Sequence, residues 1–214
     1  MTEPVLELWD RVIELAEQVT PGDWTRPTPD PDMSVRDVVT HVAAGAPLLG
    51  RTPGELVDGL RLAREAYASR LVHGDPADHH LRSRALGASC LDLYVHAHDV
   101  ASALGIPVDL DDDSPAVTEA CRYLMHLAPK LMTVRVGAQE GDSVRLALPG
   151  VGDREATAGL WRPDGADGSV VAKPAAFILL LAGRGDPGHW RARGALEWSG
   201  VSGEAFVQKA RLLT

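Results

Sequence analysis

Residues 91–105, LDLYVHAHDVASALG, constrain this chain more than any other stretch. They read as the second half of a helix, which advances about 100° per residue, so positions three or four apart share a face. Ala85, Ala88, Asp92, His96, Asp99 and Ala103 then form one stripe, with two carboxylates and an imidazole between small side chains. The neighbouring stripe, Leu86, Leu93, Ala97, Val100 and Leu104, is apolar. Such a helix is mostly buried, and its polar groups need partners or a ligand. The alanines leave room for one. An acid and a histidine at i and i+4 are spaced to grip one metal ion. The alternative is a buried ion pair or a core histidine with its hydrogen bonds satisfied.

A chain of 214 residues supplies one large domain or two small ones, and 45% apolar residues suffice for a core. A net charge of -9 argues against nucleic acid, because binding phosphates needs a basic surface. Cys90 and Cys121 are too few for a disulfide framework and lie in apolar helical surroundings, so buried inert thiols are expected. No signal peptide is read at the start. The longest apolar run, 175–182, falls far short of the roughly 20 residues of a membrane span. A cytoplasmic monomer is the expectation.

The helical pattern is continuous through the first 130 residues. Val5, Leu8, Trp9, Val12, Ile13, Ala16 and Val19 share a face, and Thr20-Pro21-Gly22-Asp23 stops that helix. A proline-rich loop follows. Ser34 and Asp37 form a capping box for a second helix, running to about Ala46, with Val35, Val38, Val39 and Val42 on its apolar side and His41 at the border. Thr52 and Glu55, with Pro53 between them, open a third helix carrying Leu56, Leu60, Ala63, Tyr67 and Leu71. Asp75-Pro76-Ala77-Asp78 opens the fourth, which stops at Gly105 with Pro107 beyond. Short loops between four helices predict an antiparallel bundle. A fifth helix is expected from Ser114-Pro115 to near Pro129. Beyond about residue 137 the period changes: 143–148 alternates, 158–161 does so weakly, and 169–172 is a short apolar run, so all three are expected as strands. Pro174 opens an apolar helix to about Gly183, GRGDPG turns, 196–199 reads as a last strand, and Ser202 caps a helix to Leu213. The fold class is mainly α: a bundle over 1–137, then a small α+β domain over 138–214.

Of the eight histidines, His73, His79, His80 and His189 fall at helix ends or in loops and are expected to be solvated. His126 lies near the end of the fifth helix, where its charge suits the dipole. His98 is two residues from His96 and points about 200° away. His41, Asp92 and His96 remain as the candidate metal set. Three protein ligands with an open position make a catalytic pattern, whereas structural zinc sites are closed by four. Asp99, one turn past His96, is placed to accept from an imidazole and orient it.

GDWTRPTPDPDMSVRDVVTHVAAG and LDLYVHAHDVASALG together resemble the two motifs of the mycothiol-dependent maleylpyruvate isomerase family, in the DinB-like helical superfamily. The part from Pro174 through GRGD to LEWSGVSGEAFVQKA is similar to that family's small sterol-carrier-protein-like domain. The resemblance implies a divalent metal, usually zinc, held by a histidine of the second helix and a Glu-x-x-x-His pair of the fourth, here His41, Asp92 and His96. It implies mycothiol as the thiol that this metal activates. Asp92 is one methylene shorter than the family's Glu, His98 stands where Trp is common, and Asp30-Pro31-Asp32-Met33 replaces a Cys-Pro-Gly-Trp-like segment. These differences point to a small electrophilic substrate other than maleylpyruvate, a possible unsaturated carboxylate, to be isomerised or to receive the thiol. Arg184 is the candidate to hold its carboxylate, with Arg191 and Arg193 as rivals. Two other classes stay open: a binding protein without turnover, and a thiol-independent hydrolytic or tailoring enzyme.

Overall fold

The structure is a computed structural model. It describes residues 4–44, 52–73, 79–107, 112–158 and 166–212, the side chains of 72, 73 and 79–83 excepted. Two compact units divide the chain, Met1–Leu110 and Asp111–Thr214.

The first unit is a four-helix bundle made of α1 (Pro4–Glu17), α2 (Val35–Ala43), α3 (Pro53–His73) and α4 (His79–Leu104). α1 packs on α3 and α4, and α2 packs on the same two, so α1 and α2 hold opposite corners. Both expected capping boxes form. Asp37 N–H donates to Ser34 Oγ at 3.3 Å while Ser34 N–H donates to the Asp37 carboxylate at 2.9 Å. Thr52 and Glu55 repeat the exchange at 3.4 and 2.9 Å. α2 is then held by Val35, Val38, Val39 and Val42, each 9% exposed or less, and each fully buried valine contributes about 1.5–3 kcal/mol. α2 ends at Ala43, short of the expected Ala46, with Ala44 as its cap; residues 45 and 46 and the start signal at 75–78 lie outside the described residues. α4 stops as its glycine requires: Gly105 takes φ +72, and Gly105 and Ile106 N–H donate to Ser102 and Ala101 carbonyls.

The second unit starts earlier than the change of period at 137. α5 (Pro115–Leu131) belongs with it, because it packs on α6 (Pro174–Leu181). α5 also runs past its expected stop. Pro129 sits inside the last turn, where it removes one hydrogen bond without breaking the helix, and the chain widens into a π-turn over Met132–Val136 before Gly137 ends it.

The sheet has strand order β2-β1-β3-β4, built from β1 (Ser143–Leu148), β2 (Gly152–Thr157), β3 (Gly168–Ala172) and β4 (Leu196–Ser199). β1 runs antiparallel to β2 and parallel to β3, and β3 runs antiparallel to β4. β2 has no counterpart among the expected strands, because GDREAT has an exposed, charged outer edge and hence no apolar alternation. The weak pattern at 158–161 begins just after it, and 159–161 lie outside the described residues. α7 (Pro187–Ala192) replaces part of the expected turn: Asp186 caps it, its carboxylate accepting the His189 N–H at 2.9 Å, and Pro187 takes the first position. α8 (Gly200–Lys209) begins before Ser202, with Ser199 at the cap position, and ends at Lys209. Phe177 and Phe206 stack in the core of this unit with centroids 6.5 Å apart. α8 lies so close to β3 that three glycines meet: a Cβ on Gly168 would stand 2.4 Å from the Gly203 nitrogen, one on Gly200 would stand 2.7 Å from the Gly168 Cα, and one on Gly203 would stand 2.6 Å from the Ser169 carbonyl oxygen. No helix among the described residues is long and apolar enough to cross a membrane.

Candidate metal centre

α4 carries the centre. Leu93, Tyr94, Val95, Ala97, Val100 and Ala101 are all buried, so this turn of helix is enclosed nearly all round. His96, 7% exposed, is drawn in with them, while the Asp92 side chain one turn earlier keeps 57% of its surface. Across from them α2 brings His41, exposed like Asp92, until the two imidazole rings lie edge to face with centroids 4.9 Å apart. The loop ahead of α2 is tied to the end of α4, because Arg26 donates to the Ala103 carbonyl at 3.3 Å and pairs with Asp23 at 2.8 Å. Asp23 in turn accepts from Thr20 N–H and Oγ1 at 3.1 and 2.6 Å. Neither Arg26 nor Asp23 carries a local mark of this supporting role; Thr20-Pro21-Gly22-Asp23 signals only a helix stop.

The three candidate ligands converge. One donor atom from each of His41, Asp92 and His96 lies within 4.8 Å of the others. Zinc bonds of about 2.0–2.2 Å put the corners of a tetrahedron about 3.4 Å apart. His96 Nε2 and Asp92 Oδ1 already stand at 3.4 Å. Rotation of His41 and Asp92, both on the surface, can close the remaining span. The donor set therefore fits a small divalent ion with a position left for another ligand.

Electrostatics agree with that chemistry. Partial desolvation by the neighbouring atoms works against the charge of Asp92, and the polar contact and positive charge of His96, then the charge of His41, outweigh it, so the carboxyl titrates below its ordinary range. Asp92 thus offers a ready anionic ligand. His96 Nδ1 is buried and without a hydrogen-bond partner, with Asp99 Oδ2 4.0 Å away, too far for a bond. Such an atom costs about 1–3 kcal/mol. Asp99 itself is completely buried and has polar interactions of its own.

The other histidines stay away from this cluster. His98 turns to Ser102 Oγ at 3.3 Å, and His126 and His189 are exposed. Cys90 and Cys121 are both buried thiols. Burial pushes the Cys121 thiol far up, and the nearby charge of Asp112 adds to it. Arg184 belongs to the second unit and departs from a solvated arginine: it is 5% exposed, and its Nη1 donates to the Ala182 carbonyl at the end of α6, at 3.1 Å. Gly183 and Gly185 beside it take φ of +74 and +94. Arg191 instead lies 4.2 Å over the Trp198 ring, and Arg193 is exposed.

Residues 5–85 match the family model of the mycothiol maleylpyruvate isomerase N-terminal domain, so the chain resembles that family as its motifs indicate. The match includes the first motif and ends before the second. A solved structure of a histidine-to-alanine variant of the mycothiol-dependent maleylpyruvate isomerase is 16% identical over 91% of this chain and 91% of its own, with a TM-score of 0.49. Another structure of that enzyme gives 16%, the same coverage and a TM-score of 0.47. No curated protein matches.

Proposed function

We propose that this chain is a metal-dependent enzyme that uses mycothiol to isomerise a small electrophilic substrate or to transfer the thiol to it. The observation that carries the reading is the cluster of His41, Asp92 and His96, with two of its three members open to solvent. The match of residues 5–85 to the mycothiol maleylpyruvate isomerase N-terminal domain supports the choice of thiol.

In this reading His41 and His96 offer neutral nitrogens and Asp92 an anionic oxygen to the ion. A divalent ion held there supplies Lewis acidity and keeps a bound thiol as thiolate near neutral pH. The exposure of His41 and Asp92 leaves the thiol and substrate a way in. The thiolate adds to an electrophilic carbon conjugated to a carbonyl; a C–S bond forms and the π pair moves onto the carbonyl oxygen. Rotation about the former double bond, return of the pair and C–S cleavage give the isomer and restore the thiol. If the adduct instead takes a proton and departs, the outcome is thiol transfer.

The experiment joins metal content with thiol dependence. Purified protein is expected to carry about one divalent ion per chain, falling in His41→Ala and His96→Ala and unchanged in His98→Ala. Cobalt-substituted protein titrated with mycothiol is expected to gain a thiolate-to-metal charge-transfer band. Full metal retention in both of the first two variants refutes the ligand set. A metal-loaded protein whose turnover ignores the thiol is a hydrolytic or tailoring enzyme, and one without turnover is a binding protein.

A further inference from the structure

We propose that Asp99 is a positioning residue for His96: its carboxylate takes the Nδ1–H and leaves Nε2 as a bare lone pair directed at the His41–Asp92 side. This deepens the metal reading above and rests on it.

The two ring nitrogens of His96 already face different neighbours. Nε2 is 3.4 Å from Asp92 Oδ1, and Nδ1 is 4.0 Å from Asp99 Oδ2. Nδ1 is buried with no hydrogen-bond partner, and Asp99, three residues on along the same helix face, is 0% exposed. A movement of about 1 Å brings the pair within hydrogen-bond range. A neutral imidazole has one proton, and the nitrogen whose N–H finds an acceptor keeps it. Both nitrogens face a carboxylate, and burial decides between them: on the open Asp92 side water can serve a bare Nε2, whereas a bare Nδ1 would turn its lone pair toward the enclosed Asp99 carboxylate, so the proton belongs on Nδ1. Asp99 has other polar interactions, and its two oxygens have room for about four hydrogen bonds, so accepting one more is compatible with them. Asp92 and Asp99 thus divide the labour by exposure: the open carboxylate is a ligand, and the enclosed one fixes the ring. Ligating histidines are generally held this way, and loss of the acceptor lowers metal affinity by about 10–100-fold.

The test needs neither thiol nor turnover. Nitrogen-15 NMR of the metal-stripped wild-type protein, at a pH well above the ordinary histidine pKa, reads the His96 tautomer directly. The expected form has hydrogen on Nδ1; hydrogen on Nε2 overturns the proposal. Zinc affinity is measured by competition with a chelator in Asp99→Leu, which removes the acceptor, and Asp99→Asn, which leaves a weaker one. The expected loss is about 10–100-fold in the first and smaller in the second. Affinity within twofold of wild type in both folded variants overturns it. If neither variant folds, the wild-type tautomer decides. A wild-type protein that binds no zinc yet has the Nδ1–H tautomer defeats the metal reading and leaves the Asp99 assignment standing.

Discussion

Gly203→Ala tests how closely α8 sits on β3. The new methyl would lie 2.6 Å from the Ser169 carbonyl oxygen and 3.2 Å from its nitrogen, both backbone atoms that no side-chain rotation can move. Relief requires α8 to lift by about 0.8 Å to reach ordinary contact near 3.4 Å. The lift pulls Phe206 and Val207, both 0% exposed, away from their packing. Overfilling a packed interior costs about 1–3 kcal/mol, and a backbone clash belongs at the upper end. The helix gains about 1 kcal/mol from replacing glycine with alanine, so the net loss is about 2 kcal/mol. For a chain of this size, melting as one transition, that lowers Tm by about 4–8 °C. The control is Gly54→Ala in the first turn of α3, where a Cβ meets nothing within 4 Å. It is expected to leave Tm unchanged or raise it slightly. Thermal unfolding followed by circular dichroism compares the pair. Equal Tm values for Gly203→Ala and wild type would refute the reasoning, because the methyl would then have found room that this packing denies it.

Two further outcomes concern the cap of α2 and the end of α6. Asp37 is held below its ordinary pKa first by the Ser34 hydroxyl and then by the Ser34 N–H, so its contribution is present above the unfolded value of about 3.9 and is lost as pH falls through the lower folded value. Asp37→Asn is therefore expected to melt below wild type at neutral pH, with the gap closing in acid; a gap independent of pH would contradict the capping assignment of the helix that carries His41. Arg184→Met keeps the stem and loses the buried charged donor to the Ala182 carbonyl; a hydrogen bond from a charged group contributes about 1.5–3 kcal/mol, so Tm is expected to fall by several degrees, and a wild-type Tm would show that this bond does not hold the end of α6.

The parts of the fold written in local chemistry were readable in the sequence. Ser34 with Asp37, and Thr52 with Glu55, are complete hydrogen-bonding units within four residues, so no distant contact is needed to recognise them. Gly105 likewise announces the end of α4. The pairing of Asp92 with His96 follows from one turn of helix. His41 enters the candidate set only by elimination among the histidines and by the resemblance, because no local spacing links it to α4; its place beside His96 is a tertiary fact. What escaped depended on partners far along the chain. β2 is an edge strand whose outward residues are charged, so its only strand signal is its pairing with β1. The early start of α8 follows from the glycine contact with β3 rather than from any strong cap. The unit division at 110 escaped because helical periodicity continues into α5 while that helix packs on α6.

The burial of both cysteines has a consequence for life beside reactive small thiols. Oxidised low-molecular-weight disulfides modify proteins by exchange with an accessible thiolate, and the rate follows access and thiolate fraction. Cys90 and Cys121 are the only cysteines in the chain, both are enclosed in helices, and Cys121 is held protonated by its surroundings. Oxidative stress that converts such a pool to disulfide therefore finds no ready attachment point on the folded protein. Mixed-disulfide formation then becomes a report on unfolding: a chain that acquires the adduct has first opened α4 or α5.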